Sequence, residues 1–511
     1  MGGVNATLQE ESSTAEQPSA DRLQHASTVR LIWSYLALAL GSFGGQVLGF
    51  IGLTVVTRDI GPHNLGAYGF ANTLSGYFSM PLMAGIGMVG IREIASAREG
   101  RSRTVAEVQG VLLLNGVLAY APLFFLAPVL SSSHQTQALL RLLGLNLIIS
   151  AVSLDWVMQG LQHLRLLSVL RFAGQVVYLV VLLIVMVPGG RGATIYGVCN
   201  LLGAGTTALL TIVYVLRIVR WSEVRRIRVG LARATRRVAR RVKGGFAPGL
   251  GLVMVSIYFS IDIVLLGYLR GNYSVGEYTA AERIPAALGV FSGLWVTVLY
   301  PHAASLFQDN PGRLRRQIGE FATLSVLAVL PCIPVGFLLG RQILKGLFGT
   351  KFGPGGIAFG WLLCSAGLGL VNANLTQLLL ACKNERAFLW SVSAGAIVNV
   401  GLNLLLIPLW GFEGSAVATV AAELSVIAVG MPKVARLIGL PQMDWKRLAR
   451  AVAPLALTAA LILALRAVAA WWLVLTATAS AYPVLLLCTR SVTVDEVLRL
   501  FGRLSLTEAG S

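Results

Sequence analysis

Charge is scarce in this chain. Of 511 residues only 12% are Asp, Glu, Lys or Arg, about half the roughly 25% of a soluble domain, while 56% are apolar. A soluble fold keeps a wide polar exterior, so this composition excludes a cytosolic enzyme, a secreted disulfide scaffold and a disordered protein together. Cysteine is scarce as well. Cys199, Cys332, Cys364, Cys382 and Cys488 are scattered through apolar runs, without CxxC spacing for zinc or an even set for a disulfide framework. They read as small hydrophobes between helices. His25, His63, His134, His163 and His302 show no HExxH or HxH pattern, so no metal site is expected. No GxxxxGKS/T loop occurs and no Asp/His/Glu cluster suggests glycosyl transfer or hydrolysis. The sequence therefore points away from an ATPase, a resident cofactor and enzyme catalysis.

What is present is a succession of long apolar runs, each near the ~20 residues that cross a bilayer. They predict an all-α polytopic membrane protein of about 14 transmembrane helices, near 31–56, 67–90, 108–130, 138–160, 169–188, 193–216, 245–269, 278–302, 319–340, 356–381, 389–409, 414–432, 448–465 and 470–488. Ahead of them, residues 1–29 carry Glu10, Glu11, Glu16 and Asp21 without a basic n-region. They read as a disordered tail, not a signal peptide. With the N-terminus in the cytoplasm, 32 of the 41 Lys and Arg residues fall on the cytoplasmic side and 8 opposite. That bias puts both termini inside. Extracytoplasmic connections are short except for 341–355, which holds Arg341, Lys345 and Lys351.

The largest basic cluster, 217–243, has 11 Lys or Arg against Glu223. Val224, Ile227, Leu231, Val238 and Val242 recur at helical spacing, which predicts an amphipathic helix in anionic headgroups of the inner leaflet. Without interleaved aromatics it is no nucleic-acid site. It divides the chain into a tail (1–29), a six-helix lobe (30–216), the linker (217–243), a second six-helix lobe (244–432) and a segment (433–511) with two extra helices and a cytoplasmic tail.

The lobes share residues. Leu65-Gly66-Ala67-Tyr68 opens the second span and Val275-Gly276-Glu277-Tyr278 opens the eighth, 210 residues later; Gly192-Ala193-Thr194 matches Gly414-Ser415-Ala416 more weakly. Equivalent helices run the same way, so the repeats are parallel, related by an axis along the membrane normal. Two bundles facing a midplane cavity is a transporter architecture.

Charges inside spans are expensive and mark candidate sites. Arg58 and Asp59 end the first helix. Asp155 and Arg171 flank the cytoplasmic side of spans four and five, as an ion pair would. Asp262 lies near the middle of its helix, and Glu423 is similar in span twelve. Glu282 and Arg283 are adjacent in the eighth span and cannot neutralise each other on one helix face. At least one of them must meet a polar cavity.

Three segments then resemble a known family. VVTRDIGPHNLGAYGFANTLSGYF with GIGMVGIREIA, DIVLLGYLRGNYSVGEYTAAERIPAALGVFSGLWVTVLYPHAAS, and NVGLNLLLIPLWGFEGSAVATVAAE are similar to the polysaccharide transporters and O-antigen (lipid-linked oligosaccharide) flippases of the multidrug/oligosaccharidyl-lipid/polysaccharide exporter superfamily. Ile60 replaces the family's Leu before Gly61-Pro62. The resemblance implies two six-helix lobes around a V-shaped cavity in the cytoplasmic (inner) membrane, with a helix pair added. It implies export of an undecaprenyl-pyrophosphate-linked oligosaccharide by alternating access, with polysaccharide polymerase and chain-length machinery as partners. Arg recognises phosphate bidentately and stays protonated at depth. Arg283 falls where related lipid II flippases place a cavity Arg, Arg58 matches the family's first-helix Arg, and Arg92 sits at the cytoplasmic mouth; with Glu282 these are the substrate-binding candidates. Asp262, followed by Asp155 and Glu423, would be the carboxylate linked to H+ or Na+. The alternatives are a lipid II flippase or a cation-coupled drug antiporter of the same superfamily, and, from another class, a membrane-embedded glycan polymerase or ligase. The last would need a catalytic extracytoplasmic loop, and 341–355 has neither carboxylate nor His.

Overall fold

The computed structural model describes residues 20–96, 101–186, 192–218, 235–236 and 246–493, and every regular element among them is helical. In order these are α1 (Ala20–Ser96), α2 (Arg101–Leu130), α3 (His134–Val152), α4 (Asp155–Gly160), α5 (Leu164–Met186), α6 (Ala193–Ile218), α7 (Phe246–Asp309), α8 (Pro311–Val329), α9 (Cys332–Phe348), a 3-10 turn (Thr350–Gly355), α10 (Gly356–Ala381), α11 (Glu385–Ile438), α12 (Trp445–Arg450), α13 (Val452–Leu465) and α14 (Trp471–Cys488). Helix is what an apolar run must form in lipid, where each backbone N–H and C=O has to find its partner within the segment. Among the described residues nine helical stretches are long and apolar enough to cross a membrane, so the protein is multi-pass.

Three helices are each turned by one glycine. α1 breaks at Gly61 (φ 72°), α7 at Gly271 (φ 77°) and α11 at Gly411 (φ 58°), a left-handed geometry that glycine reaches without the steric cost of a Cβ. Gly61 and Gly271 are 210 residues apart, the spacing of the sequence repeat, and their ψ values, 175° and −177°, coincide. The lobes meet just beyond these turns. A methyl group on Gly66 would overlap the Asn272 carbonyl and the Gly276 nitrogen; one on Gly276 would overlap the Pro62 carbonyl. Asn272 is the repeat equivalent of Pro62, and Gly276 of Gly66. The contact is therefore reciprocal, as a two-fold axis requires. Two six-helix lobes thus face each other as a parallel pseudo-repeat.

This seam is closed at the end of the bundle that holds the glycine turns. Leu65, Tyr278, Phe348, Phe352 and Phe359 are buried there. Arg58 donates from Nε to the Leu347 carbonyl (3.0 Å) and from Nη2 to that of Gly346 (2.6 Å), satisfying carbonyls at the C-terminus of α9. Asn272 Nδ2 donates to Thr136 Oγ1 (3.1 Å) and the Gly355 N–H to Glu277 Oε2 (2.8 Å). α13 and α14 pack on the second lobe: the Tyr482 hydroxyl donates to the Leu327 carbonyl (2.8 Å), and Ile462 and Val474 join the main core.

The structure departs from the expected spans at several points. α1 starts at Ala20, inside the segment read as a disordered tail, because a helix already nucleated by an apolar span extends readily through ADRLQHASTV, which has neither Gly nor Pro. The fourth span is split at Ser153-Leu154 into α3 and α4. The ninth is split at Leu330-Pro331, where proline lacks the N–H that would continue the ladder. The expected loop 341–355 is the last turns of α9 followed by the 3-10 turn, with Phe348 and Phe352 anchoring it inside. The basic linker 217–243 lies almost wholly outside the described residues, as does the segment after 493.

Candidate functional site

A cavity of about 680 Å³ opens in the first lobe. Small residues make room for it: Gly45 and Gly49 of α1 face Gln175 of α5, and a methyl group on Gly52 would overlap the Tyr178 ring. On α5 the lining residues Arg171, Gln175 and Tyr178 recur at steps of four and three, one helix face. α1 contributes Gln46, Tyr68 and Asn72, and α6 contributes Tyr196, Asn200 and Thr207. The second lobe adds Arg283, Ala286 and Ala287 from α7. Three buried tyrosines form part of the wall, with ring centroids 4.3 Å apart for Tyr68 and Tyr196 and 6.1 Å for Tyr178 and Tyr196. A smaller recess of about 130 Å³ continues past Asn72, Arg283 and Ala286 to Thr73, Thr279 and Glu282.

Arg283 stands at the junction of the two spaces. Its Nε is buried with no hydrogen-bond partner, and no ion pair of its guanidinium is found among the described residues. A buried donor left unmade costs about 1–3 kcal/mol, and arginine does not escape the cost by losing its proton. Such a group can take an anion as its partner.

Arg171 is partnered. Its Nε and Nη2 donate to Asp155 Oδ2 at 3.0 and 2.9 Å, and the Ser153 hydroxyl donates to Asp155 Oδ1 at 2.5 Å. The break between α3 and α4 places Ser153 and Asp155 for this contact. The side chains of Arg171 and Asp155 remain 39% and 24% exposed.

Of the four residues expected to hold substrate, the structure brings Arg283 and Glu282 together in the cavity. Arg58 is occupied at the lobe seam, and Arg92 is exposed near the end of α1, outside the lining. Asp155 pairs with Arg171. Asp262 and Glu423 lie in the second lobe, inside a buried polar network. Tyr278 donates its hydroxyl to Asp262 Oδ2, with Thr419 Oγ1 3.5 Å from the same oxygen. The Ser415 hydroxyl donates to Asn403 Oδ1 (2.7 Å), Asn403 to the Asn399 carbonyl (2.9 Å), and Asn399 to the Tyr258 carbonyl (3.2 Å). Asn372 donates to Glu423.

Sequence reasoning missed the tyrosines, Asn72, Asn200, Gln46 and Gln175, and it took Arg171 only as a pairing partner. The usable signal was the polar stripe 171, 175, 178 on an otherwise apolar helix.

Comparison with known proteins adds a family match, two relatives and two similar folds. A family model described as polysaccharide biosynthesis protein matches residues 33–307. A protein of Escherichia coli (strain K12) named "Putative O-antigen transporter" is 24% identical over 334 residues, 63% of this chain and 75% of that protein. A Haloferax volcanii protein named "Probable flippase AglR" is 27% identical over 184 residues, 34% of this chain and 38% of its own length. In fold, the chain is similar to the lipid II flippase MurJ in an inward closed conformation (TM-score 0.70, 12% identity, 91% of this chain and all of that one). It is also similar to an inward-facing multidrug resistance MATE family transporter of the MOP superfamily (TM-score 0.59, 15% identity, 77% and 95%).

Proposed function

The chain belongs to the polysaccharide biosynthesis protein family, and from that premise we propose that it is a flippase carrying an undecaprenyl-pyrophosphate-linked oligosaccharide across the cytoplasmic membrane by alternating access. The observation that carries the reading is Arg283: a half-buried guanidinium with no ion pair among the described residues and its Nε buried without a partner, contributed by one lobe to a chamber built by the other. A pyrophosphate supplies the concentrated anion that such a group lacks. Uncharged hydrogen-bonding groups around it, Asn72, Asn200, Gln46, Gln175 and Thr207, suit hydroxyl-rich sugars. The lobe seam supports the alternating half of the reading, because closing at Gly66 and Gly276 seals one end of the bundle while the cavity sits away from it.

Orientation follows from the positive residues: with both termini in the cytoplasm the seam faces outward, and the cavity is loaded from inside. Asp262 is then the carboxylate through which H+ or Na+ would act. Asp155 is neutralised by Arg171, and Glu423 is bonded to Asn372. The relatives' names support lipid-linked glycan as the cargo class, in agreement with the cavity's charge. The test is complementation of a bacterial strain that lacks the flippase for a surface glycan whose repeat unit this protein accepts. Restored surface glycan with the wild-type chain, and none with Arg283→Ala present at equal membrane level, is the expected result. Normal export by the variant would remove Arg283 from the site.

A further inference from the structure

The reading above gives one arginine to a headgroup with two phosphates. The cavity holds another. Arg171 lines the same chamber as Arg283, from the opposite lobe. Their depths are comparable: Arg171 is seven residues into α5 and Arg283 twelve residues beyond Gly271, roughly 10 and 18 Å along their helices from opposite ends, in a hydrocarbon core about 30 Å thick.

We propose that Arg171 is the second cargo arginine, held by Asp155 in the empty cavity and transferred to the cargo's pyrophosphate on loading. This rests on the flippase reading and extends it. The geometry of the pair supports exchange. Arg171 directs both Nε and Nη2 at one oxygen, Asp155 Oδ2, instead of meeting both carboxylate oxygens side by side, and Nη1 has no bond among the described residues. The pair is partly exposed and its Arg171 lines the cavity, and pairs of that kind are weak enough to trade partners. Asp155 keeps the Ser153 hydroxyl when Arg171 leaves, so the carboxylate is not orphaned. A phosphate offers the guanidinium the two-pronged contact that Asp155 does not. Asp155 thereby prevents the empty chamber from presenting two bare guanidinium groups to any small anion. A cargo with two phosphates satisfies both sites, and one with a single phosphate satisfies Arg283 alone.

The experiment measures binding to the full-length protein in phosphatidylcholine nanodiscs, by thermophoresis, with geranylgeranyl pyrophosphate and geranylgeranyl monophosphate as probes. The wild-type chain is expected to prefer the pyrophosphate about tenfold. The charge-neutral double variant R171Q/D155N, which leaves no unpaired charge, should lose that preference while keeping its monophosphate affinity. Asp155→Asn alone should tighten pyrophosphate binding about threefold. Arg171→Lys, which keeps the pair but not the fork, should weaken it about threefold and serves if the double variant does not fold. Pyrophosphate preference unchanged in R171Q/D155N, or Asp155→Asn weakening binding as strongly as loss of Arg171, would overturn the assignment of Arg171 and leave the flippase reading standing. No binding of either probe by the wild type would overturn both. A last arm uses phosphatidylglycerol nanodiscs. The proposal expects pyrophosphate binding to persist there; its abolition in the wild type, reversed in R171Q/D155N, would assign Arg171 to ordinary anionic headgroups instead.

Discussion

The two lobes share a backbone design and fill it differently. Counting 210 residues back from the second lobe, Tyr278 corresponds to Tyr68 but Asp262 corresponds to Gly52, and Glu282 and Arg283 correspond to Asn72 and Thr73. In the second lobe the Tyr278 hydroxyl is bonded to Asp262, and a chain of half-buried Thr419 and buried Ser415, Asn403 and Asn399 occupies the interior. The first lobe has glycine, not a carboxylate, at the equivalent position. Tyr178 takes the space beside Gly52, Tyr68 packs at a tilt against Tyr196, and the chamber opens next to them. What the repeat preserves is the machinery of closure: Gly61 with Gly271, Gly66 with Gly276. What it has let diverge is the interior: the first lobe is hollowed by the chamber, and the second carries a buried carboxylate network. The hollow lobe then borrows a cation, Arg283, from its partner.

That contrast can be broken in four places. Arg283→Gln should abolish transport by a factor of 100 or more with the protein still inserted and folded, because the change removes a charge that has no ion-pair partner among the described residues, not a structural partner; export assays with a membrane-level control decide it. The seam comes next. Gly66→Leu and Gly276→Leu each force a side chain into backbone, and overpacking of this kind costs about 1–3 kcal/mol, a shift of roughly 5- to 150-fold toward the seam-open state. The two variants should act alike, since the contact is reciprocal. A cysteine at position 72, in a background without the five native ones, should become reactive to an impermeant maleimide applied from outside in both; reactivity in only one would break the pseudo-symmetry.

Asp262→Asn tests the second lobe's polar network. The amide oxygen still accepts from Tyr278, so the fold should hold. Transport should fall about tenfold and lose its dependence on the ion gradient. Transport indifferent to both the substitution and the gradient would make the network purely structural. The smallest effect belongs to Arg58→Ala. It removes a charged cap on the carbonyls of α9, an interaction of about 0.3–1 kcal/mol, and should alter seam accessibility only a few-fold. A complete loss of transport would show that Arg58 reaches cargo in another conformation.

The sequence showed a multi-pass helical protein because apolarity is additive along the chain, and it showed the repeat because glycine at 66 and 276 is imposed by backbone contact. Glu282 with Arg283 was legible for a similar reason: adjacent opposite charges cannot cancel on one helix face. Where helices break was harder to see. Ser153-Leu154 looks like the interior of a span, and only the side-chain pairing of Ser153, Asp155 and Arg171 explains the interruption. The segment 341–355 carries three basic residues and several glycines, so it resembled a loop; Phe348 and Phe352 bury it. The cavity wall was least visible. Tyr68, Tyr178 and Tyr196 come from three helices, and a tyrosine facing a chamber has the same local sequence as one facing a neighbour.

The central claim is that Arg283, set in the hollow lobe, holds a pyrophosphate-linked cargo during its passage. The most direct measurement is flipping of a fluorescent undecaprenyl-pyrophosphate-linked oligosaccharide in proteoliposomes, read as protection from a reagent added outside. The account predicts fast translocation by the wild-type protein and the protein-free background rate for Arg283→Gln. A wild-type rate no higher than the background, or an Arg283→Gln rate equal to the wild type, would contradict it.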